Sequence, residues 1–448
     1  MARHAPNILL AALLAEARWS AGELARAVNA LGSANTLELR YDRTSVAHWL
    51  SGSRPRAPVP DLVAAALSSR AGRLVTAQDT GLAQPVRPPH LSMYDWSAEV
   101  DPVTQMVSLA RGDVDPAHRA LLARSAYSPV GLDLLGWPQR LATPPSGSHH
   151  RAAAADARAL HEMTHVFADL AERHGGAHAR TALASYLADD AGRMLTAHAP
   201  TAVHQDLLTA TAQLTHLLAA MTSDTGHPGL AQCYYQTALG LARAGGSRTT
   251  YAITLRAMSA QALRLGHHHS ALQLADAALQ AAGSHASPAT LAFLHIQRAL
   301  VHAHDRQPNA ALDDLTTAES QCERASAPLG PFTSYPRAGL DYQRAQTLLV
   351  LGHRTEALVA LRASAAHRPA TQRRSFALTQ ARLAETLLDI GHLEEACTHW
   401  HHFLDHYPHL HSTQTDQALN RLLARLRPHQ RQRHAAVLWE RARRVARR

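Results

Sequence analysis

Apolar positions recur along this chain with the period of a helix, and they rarely alternate as they would in a half-buried strand. Near the N-terminus, Ile8, Leu9, Ala12, Leu13 and Ala17 return at helical spacing and predict a first helix with that stripe buried. Ser20 and Glu23 then form an S-x-x-E capping box, with Leu24, Ala27, Val28 and Leu31 as the buried face of a second helix. A longer connection, Gly32–Tyr41, leads to a short third helix over Arg43–Ser51, capped by Asp42 and stopped by Gly52.

From about residue 203 the pattern itself repeats, with a period of roughly 40 residues. Gly226, Gly266, Gly352 and Gly391 recur as turn residues, and Arg306 holds the equivalent place in the third unit. Five residues after each turn stands an alanine: Ala231, Ala271, Ala311, Ala357 and Ala396. Seven before each turn stands a small residue: Ala219, Ser259, Ala299, Ala345 and Ala384. Tyr235, Leu315, Leu361 and Trp400 follow four beyond the alanine, with Ala275 as the small exception. The spacing has a physical reason. Antiparallel helices approach closely only where both present small side chains, the bulky residue fills the gap to the next hairpin, and glycine makes the turn. A sixth, degenerate unit is expected over Ala157–Leu195.

Two stretches break the helical pattern, Gln84–His90 and Ala142–Ser148, both rich in residues that cannot continue a helix. Between them one or two short helices are expected, with Met106, Leu109, Leu121 and Leu122 as docking residues. The expected domains are therefore 1–83, a Pro-rich linker with short helices over 84–150, and a helical-repeat domain over 151–448 that ends in a basic helix.

Composition sharpens this picture. Hydrophobic residues make up 46% of the 448-residue chain but aromatics only 5%, so Ala and Leu carry the apolar weight and favour an all-α fold. The formal net charge is +9, and every cation behind it is Arg because the chain has no Lys. Arg forks onto two phosphate oxygens at once, so the basic balance is compatible with a nucleic-acid partner. The 3 Cys, at 233, 322 and 397, are scattered and never paired as CxxC, which argues against a disulfide framework or a Cys-rich zinc site. The apolar run Ile8–Ala15 is cut short by Glu16 and Arg18, and no run of about 18 apolar residues occurs, so neither a signal peptide nor a membrane span is expected. The expected location is the cytoplasm.

The segment Thr44-Ser45-Val46-Ala47-His48-Trp49-Leu50-Ser51-Gly52, followed by Arg54-Pro55-Arg56 and Val59–Leu67, resembles the phage-repressor-like, or XRE-type, helix-turn-helix family. The repeats resemble tetratricopeptide repeats, whose usual period is about 34 residues. Together with the run from His174 to Arg180 and that from Gly226 to Tyr235, the chain resembles actinobacterial regulators that join the two modules and are associated with development and secondary metabolism. The resemblance implies that the third helix lies in the major groove of double-stranded DNA. Arg43, Thr44 and His48 would then face base edges, while Arg54, Arg56 and Arg40 would anchor the backbone.

The same resemblance implies a homodimer whose repeats bind a peptide, small-molecule or protein effector on their concave face. Counting from the turns places His216, Asp224, Arg256, Arg264, Tyr342, Gln346, Glu385 and Asp389 on that face. Arg256 and Arg264, eight residues apart, share a helix face and can hold a carboxylate or phosphate.

His161-Glu162-Met163-Thr164-His165 spells HExxH, which on a helix can hold zinc and activate water. Among 32 His the motif is within reach of chance, and Ala168 and Ala171 stand where a metzincin would have Gly and its third His. No metal, cofactor or catalytic residue is expected. Two other readings compete with the regulator: a tetratricopeptide interaction scaffold whose helix-turn-helix does not bind DNA, and a zinc peptidase fused to one.

Overall fold

Local side-chain caps start several helices of the structure, a computed structural model that describes residues 6–34, 39–56, 58–71, 75, 79–82, 101–128, 151–283, 286–325, 336–369 and 371–446. Among these residues every regular element is helical, and the sole strand-like contact is one bridge between Arg151 and His198. The all-α expectation holds. The chain divides into two compact units, Met1–Asp95 and Trp96–Arg448.

The first unit contains α1 (Ile8–Ala17), α2 (Ala21–Ala34), α3 (Arg43–Leu50) and α4 (Val59–Ala71). The Ser20–Glu23 box forms as expected: Ser20 N–H donates to the Glu23 carboxylate at 2.7 Å, and Glu23 N–H donates to Ser20 Oγ at 3.3 Å. Donation from the Ser20 hydroxyl at 2.7 Å, together with that from Ser20 N–H, holds the Glu23 carboxyl below its ordinary value. Asp42 caps α3, accepting from Ser45 N–H at 2.8 Å, while Ser45 Oγ accepts from Asp42 N–H at 3.4 Å. α2 runs on through Gly32 and Ser33 before the connection begins. Asn29 then fixes α3 against α2, since its side-chain amide donates to Tyr41 O at 2.8 Å and accepts from Tyr41 N–H at 2.9 Å.

The buried face of α1 differs from the sequence expectation. Leu10, Leu13, Leu14 and Ala17 are buried, whereas Leu9 is 51% exposed and Ala12 faces solvent. The side chain of Ile8 lies outside the described residues. Every residue from Ile8 to Ala15 is apolar, so periodicity selects no face and the neighbouring helices decide. The resulting core joins Leu10, Leu24, Val28, Val46, Trp49, Val63 and Leu67.

The second unit opens with α5 (Pro102–Val114) and α6 (Pro116–Leu122), followed by the long α7 (Ala154–His174). The degenerate unit departs from a plain hairpin. After α7 the chain forms α8 (Arg180–Tyr186), a π-helical turn over Leu187–Ala191 and α9 (Gly192–Thr196). Six regular hairpins follow: α10 (Thr201–Asp224) with α11 (Pro228–Ala244), α12 (Arg248–Arg264) with α13 (His268–Ala282), and α14 (Pro288–His304) with α15 (Pro308–Arg324). Then come α16 (Arg337–Leu351) with α17 (Arg354–His367), α18 (Arg373–Asp389) with α19 (Leu393–His406), and α20 (Thr413–Leu426) with α21 (Arg433–Ala446). This is a tetratricopeptide-like array.

The sequence register of the first five hairpins is the structural one. Each turn residue has positive φ, from 84° at Gly226 to 89° at Gly391, and Arg306 adopts 60° where the other four units use glycine. The residue after each turn donates to a carbonyl five positions back, as from His267 to Ala262 and from His353 to Leu348, both at 2.9 Å. The five alanines and the five small residues before the turns are all buried, Ser259 using its hydroxyl to bond Ala271 O across the hairpin at 2.7 Å.

α5 and α6, read from sequence as part of a linker, pack into this second unit, with α5 against α8, α9 and α11. Met106, Leu109 and Leu122 are buried; the side chain of Leu121 lies outside the described residues. The dock is fixed by buried Asp113, which accepts from Arg180 Nη2 at 2.6 Å and from the Tyr234 hydroxyl at 2.7 Å. Gly229 permits the approach, because a Cβ there would lie 1.9 Å from Ser125 O.

Candidate functional site

Within the second unit the first helices of the hairpins converge on one cavity of about 900 Å3, reached also by α7 and by Tyr235 of α11. Its volume falls in the range of ligand sites. Five of the eight residues that the sequence placed on the concave face line it: His216, Asp224, Arg256, Arg264 and Tyr342. Gln346, Glu385 and Asp389 lie outside the lining. Their polar atoms serve the stacking of neighbouring helices instead. Gln346 accepts from Arg382 at 2.8 Å, buried Glu385 accepts from Arg382 and Arg421 at 3.0 and 2.8 Å, and Asp389 pairs with Arg425. Facing inward on a first helix does not by itself place a side chain in the cavity.

The cavity joins aromatic rings to guanidinium groups. Arg256 lies over the Phe293 ring at 4.0 Å from its centroid, a geometry that suits a cation on a π face. His216 is buried, bonds Thr254 Oγ1 through Nδ1 at 3.1 Å and meets Tyr235 edge-on. Burial, with the Arg256 charge adding to it, pushes the His216 pKa down to about 3, so the ring is neutral near pH 7. Burial likewise pushes the Tyr235 phenol up to about 12.

Arg264 donates from Nη2 to Ser223 Oγ at 2.9 Å and makes no ion pair with a described residue. Burial by the surrounding helices lowers its pKa, and Arg374 adds to that effect. Its side chain is nevertheless exposed, and solvent screens its charge.

Sequence reasoning missed Arg374. It faces the cavity from α18 and meets Asp224 through Nε at 3.1 Å and Nη2 at 2.8 Å, across 150 residues of chain. Burial works against ionising Asp224, but Arg374, together with bonds from Gly176 and Ser412, outweighs it and holds the carboxyl below its ordinary value. No local signal predicts a pair so distant in sequence.

HExxH lies on α7. His161 faces Gln213 at 3.2 Å and Asp206 at 3.1 Å, His165 lines the cavity, and Glu162 is exposed. Among the described residues no group of three or more His, Cys, Asp or Glu is arranged to hold a metal. No described helix is long and apolar enough to cross a membrane.

In the first unit Val46 and Trp49 anchor α3 in the core and leave Arg43, Thr44 and His48 exposed on its outer side. Arg40, Arg54 and Arg56 are exposed just before and after the helix.

The comparisons with known proteins bear on both units. The family model of the SP15 N-terminal domain matches residues 10–83, the four-helix unit that the sequence likened to an XRE-type helix-turn-helix. No curated protein matches the chain. Among solved structures, a chain of the crystal structure of the APC/C hetero-tetramer Cut9-Hcn1 matches with a TM-score of 0.35 and 14% identity, over 91% of this chain and 68% of that one.

Proposed function

We propose that the repeat unit is a binding scaffold whose cavity receives the acidic group of a peptide, small-molecule or protein effector. The observation that carries this reading is the convergence of the first helices on one cavity that Arg256 and Arg264 line beside Phe293, Tyr235 and Tyr342. A guanidinium flanked by aromatic rings suits an anion attached to an apolar body. A thermal-shift screen of acidic peptides and organic carboxylates tests it. A stabilising hit should be lost in Arg256→Glu, and a hit that survives both Arg256→Glu and Arg264→Glu would place binding elsewhere.

A second reading adds DNA. The exposed set on and around α3, with Arg43, Thr44 and His48 toward base edges and Arg40, Arg54 and Arg56 toward phosphates, favours a cytoplasmic, homodimeric transcriptional regulator of the kind that the sequence resembles. Arg43→Ala should lower discrimination at one base pair by about 1–3 kcal/mol, whereas Arg54→Ala should weaken all duplexes and flatten the salt dependence. Loss of no affinity in either variant would leave the scaffold reading alone. In the combined protein the effector acts by differential contact with two states, so Arg256→Glu removes its influence on DNA affinity and spares DNA binding without effector.

A further inference from the structure

Of the 44 Arg in the chain, 10 lie within residues 417–448, where Glu440 is the one acid. The other 34 are matched by 34 Asp and Glu, so the formal charge of +9 belongs entirely to that segment. Neighbouring helices neutralise part of it. Arg421 meets Glu385 at 2.8 Å, Arg425 pairs with Asp389, and Arg441 meets Asp405 at 2.6 Å. Arg443 lies over the Trp439 ring at 4.6 Å from its centroid and reaches Glu440 at 3.6 Å. Arg427, Arg431, Arg433 and Arg444 differ from these. All four are exposed, and none pairs with a carboxylate of a described residue.

Their placement is set by α21. Its buried stripe, Ala435, Leu438 and Ala442, docks on the core of the array, and Trp439 packs beside it. Arg433 and Arg444 are eleven residues apart, which is three helical turns, so they share the opposite face and stand about 16 Å apart along the axis. Arg427 and Arg431 lie on the short connection that leads into α21.

Polyanions differ in what they need besides cations. A helix on a membrane surface keeps its apolar face free for the lipid, and α21 has buried that face in the array. Single-stranded nucleic acid stacks its bases on aromatic rings, but the one aromatic of this segment, Trp439, is packed against the core beneath Arg443. A protein partner is held by aromatic or bulky anchors, and the outer face of α21 offers Val437 alone. A DNA duplex needs only cations that meet its rows of phosphates, which carry one charge per about 1.7 Å of axis.

We infer that Arg427, Arg431, Arg433 and Arg444 form a sequence-independent contact surface for the phosphate backbone of double-stranded DNA, on the repeat unit rather than on α3. Each guanidinium forks onto two phosphate oxygens. Such contacts hold a duplex without reading its bases. The inference does not rest on α3 binding DNA, and failure of the Arg43 and Arg54 variants would leave it standing.

Fluorescence anisotropy of the full-length protein tests it, with a duplex of about 30 base pairs and arbitrary sequence, titrated between about 50 and 200 mM salt. Changing all four arginines to Gln should lower the slope of log affinity against log salt by about 3, and weaken binding more than about tenfold at the lowest salt. All four side chains are exposed, so this variant should melt like the native protein. The same drop should appear in a protein that already carries Arg43→Ala and Arg54→Ala, which separates this surface from α3. Gln at Arg111, Arg158, Arg324 and Arg354, exposed on other helices of the repeat unit, changes the net charge equally and should move the slope by less than about 1. Equal losses in the two fourfold variants would reduce the effect to net charge and overturn the inference. So would an unchanged slope in the first variant, or no binding by the native protein at the lowest salt. Poly-glutamate and vesicles of phosphatidylserine with phosphatidylcholine serve as competing polyanions. Binding of either that depends on the four arginines, while DNA binding does not, would overturn the assignment to DNA.

Discussion

Beside the turn of each of the first five hairpins the buried residues are small, an alanine in one helix and an alanine or serine in the other; where α5 docks and where Arg374 meets Asp224, carboxylates lie against guanidiniums. The two kinds of joint obey different physics. Small-residue contacts depend on volume and are spoiled by added bulk. Buried ion pairs depend on complete pairing, and removing one member leaves a charge in a medium that solvates it poorly. The hairpins should therefore respond to size and the long-range joints to charge.

The largest expected effect is at the dock. Asp113→Ala leaves the buried Arg180 guanidinium without its carboxylate, and chemical denaturation should show a loss of about 3–5 kcal/mol. Asp113→Asn, nearly the same size, should also be severe, and a mild Asn variant would mean that shape outweighs charge there. Next comes bulk. Ala271, fully buried beneath the Ser259 bond, should cost about 1–3 kcal/mol when changed to Leu, and a variant that melts like the native protein would break the hairpin side of the contrast.

Acid offers a third lever, at His216. Its folded pKa of about 3 lies below its ordinary value of 6.5, so the folded state resists protonation. Stability from this group is complete above pH 6.5 and falls as the pH drops toward 3, by about 1.4 kcal/mol at pH 5.5. Asp224 works in the same sense within a lower window: its depressed pKa means that its contribution persists down to about its ordinary value of 3.8 and is lost below it. Comparing melts of the native protein and His216→Gln from pH 7 to 5 isolates the histidine, and parallel curves would refute its role. The smallest effect is at Arg306, where a side chain occupies left-handed backbone: Arg306→Gly should raise stability by up to about 1 kcal/mol.

How much of this could be read from sequence follows from the same contrast. The register from Gly226 to Gly391 was legible because turn, small residue and alanine lie within a dozen positions of one another. The capping residues Ser20 and Asp42 were legible for the same reason. α1 was not, since an all-apolar run carries no phase. Asp113 with Arg180 and Tyr234, and Arg374 with Asp224, were invisible because their partners lie 67, 121 and 150 residues away. The cavity was half legible: the helix faces were known, but not which inward residues would be consumed by their neighbours, as Glu385 is by Arg421.

The pairing of Arg374 with Asp224 also changes how the array comes apart. A linear stack can lose units from either extremity, because an outermost unit has one neighbour and its loss exposes only one interface. A stack joined through Glu172, Asp224 and Arg374 gives α7 and α18 a second attachment. Peeling then has to break the joint before any single unit leaves, which couples units far apart and makes unfolding of the joined segment more nearly all-or-none.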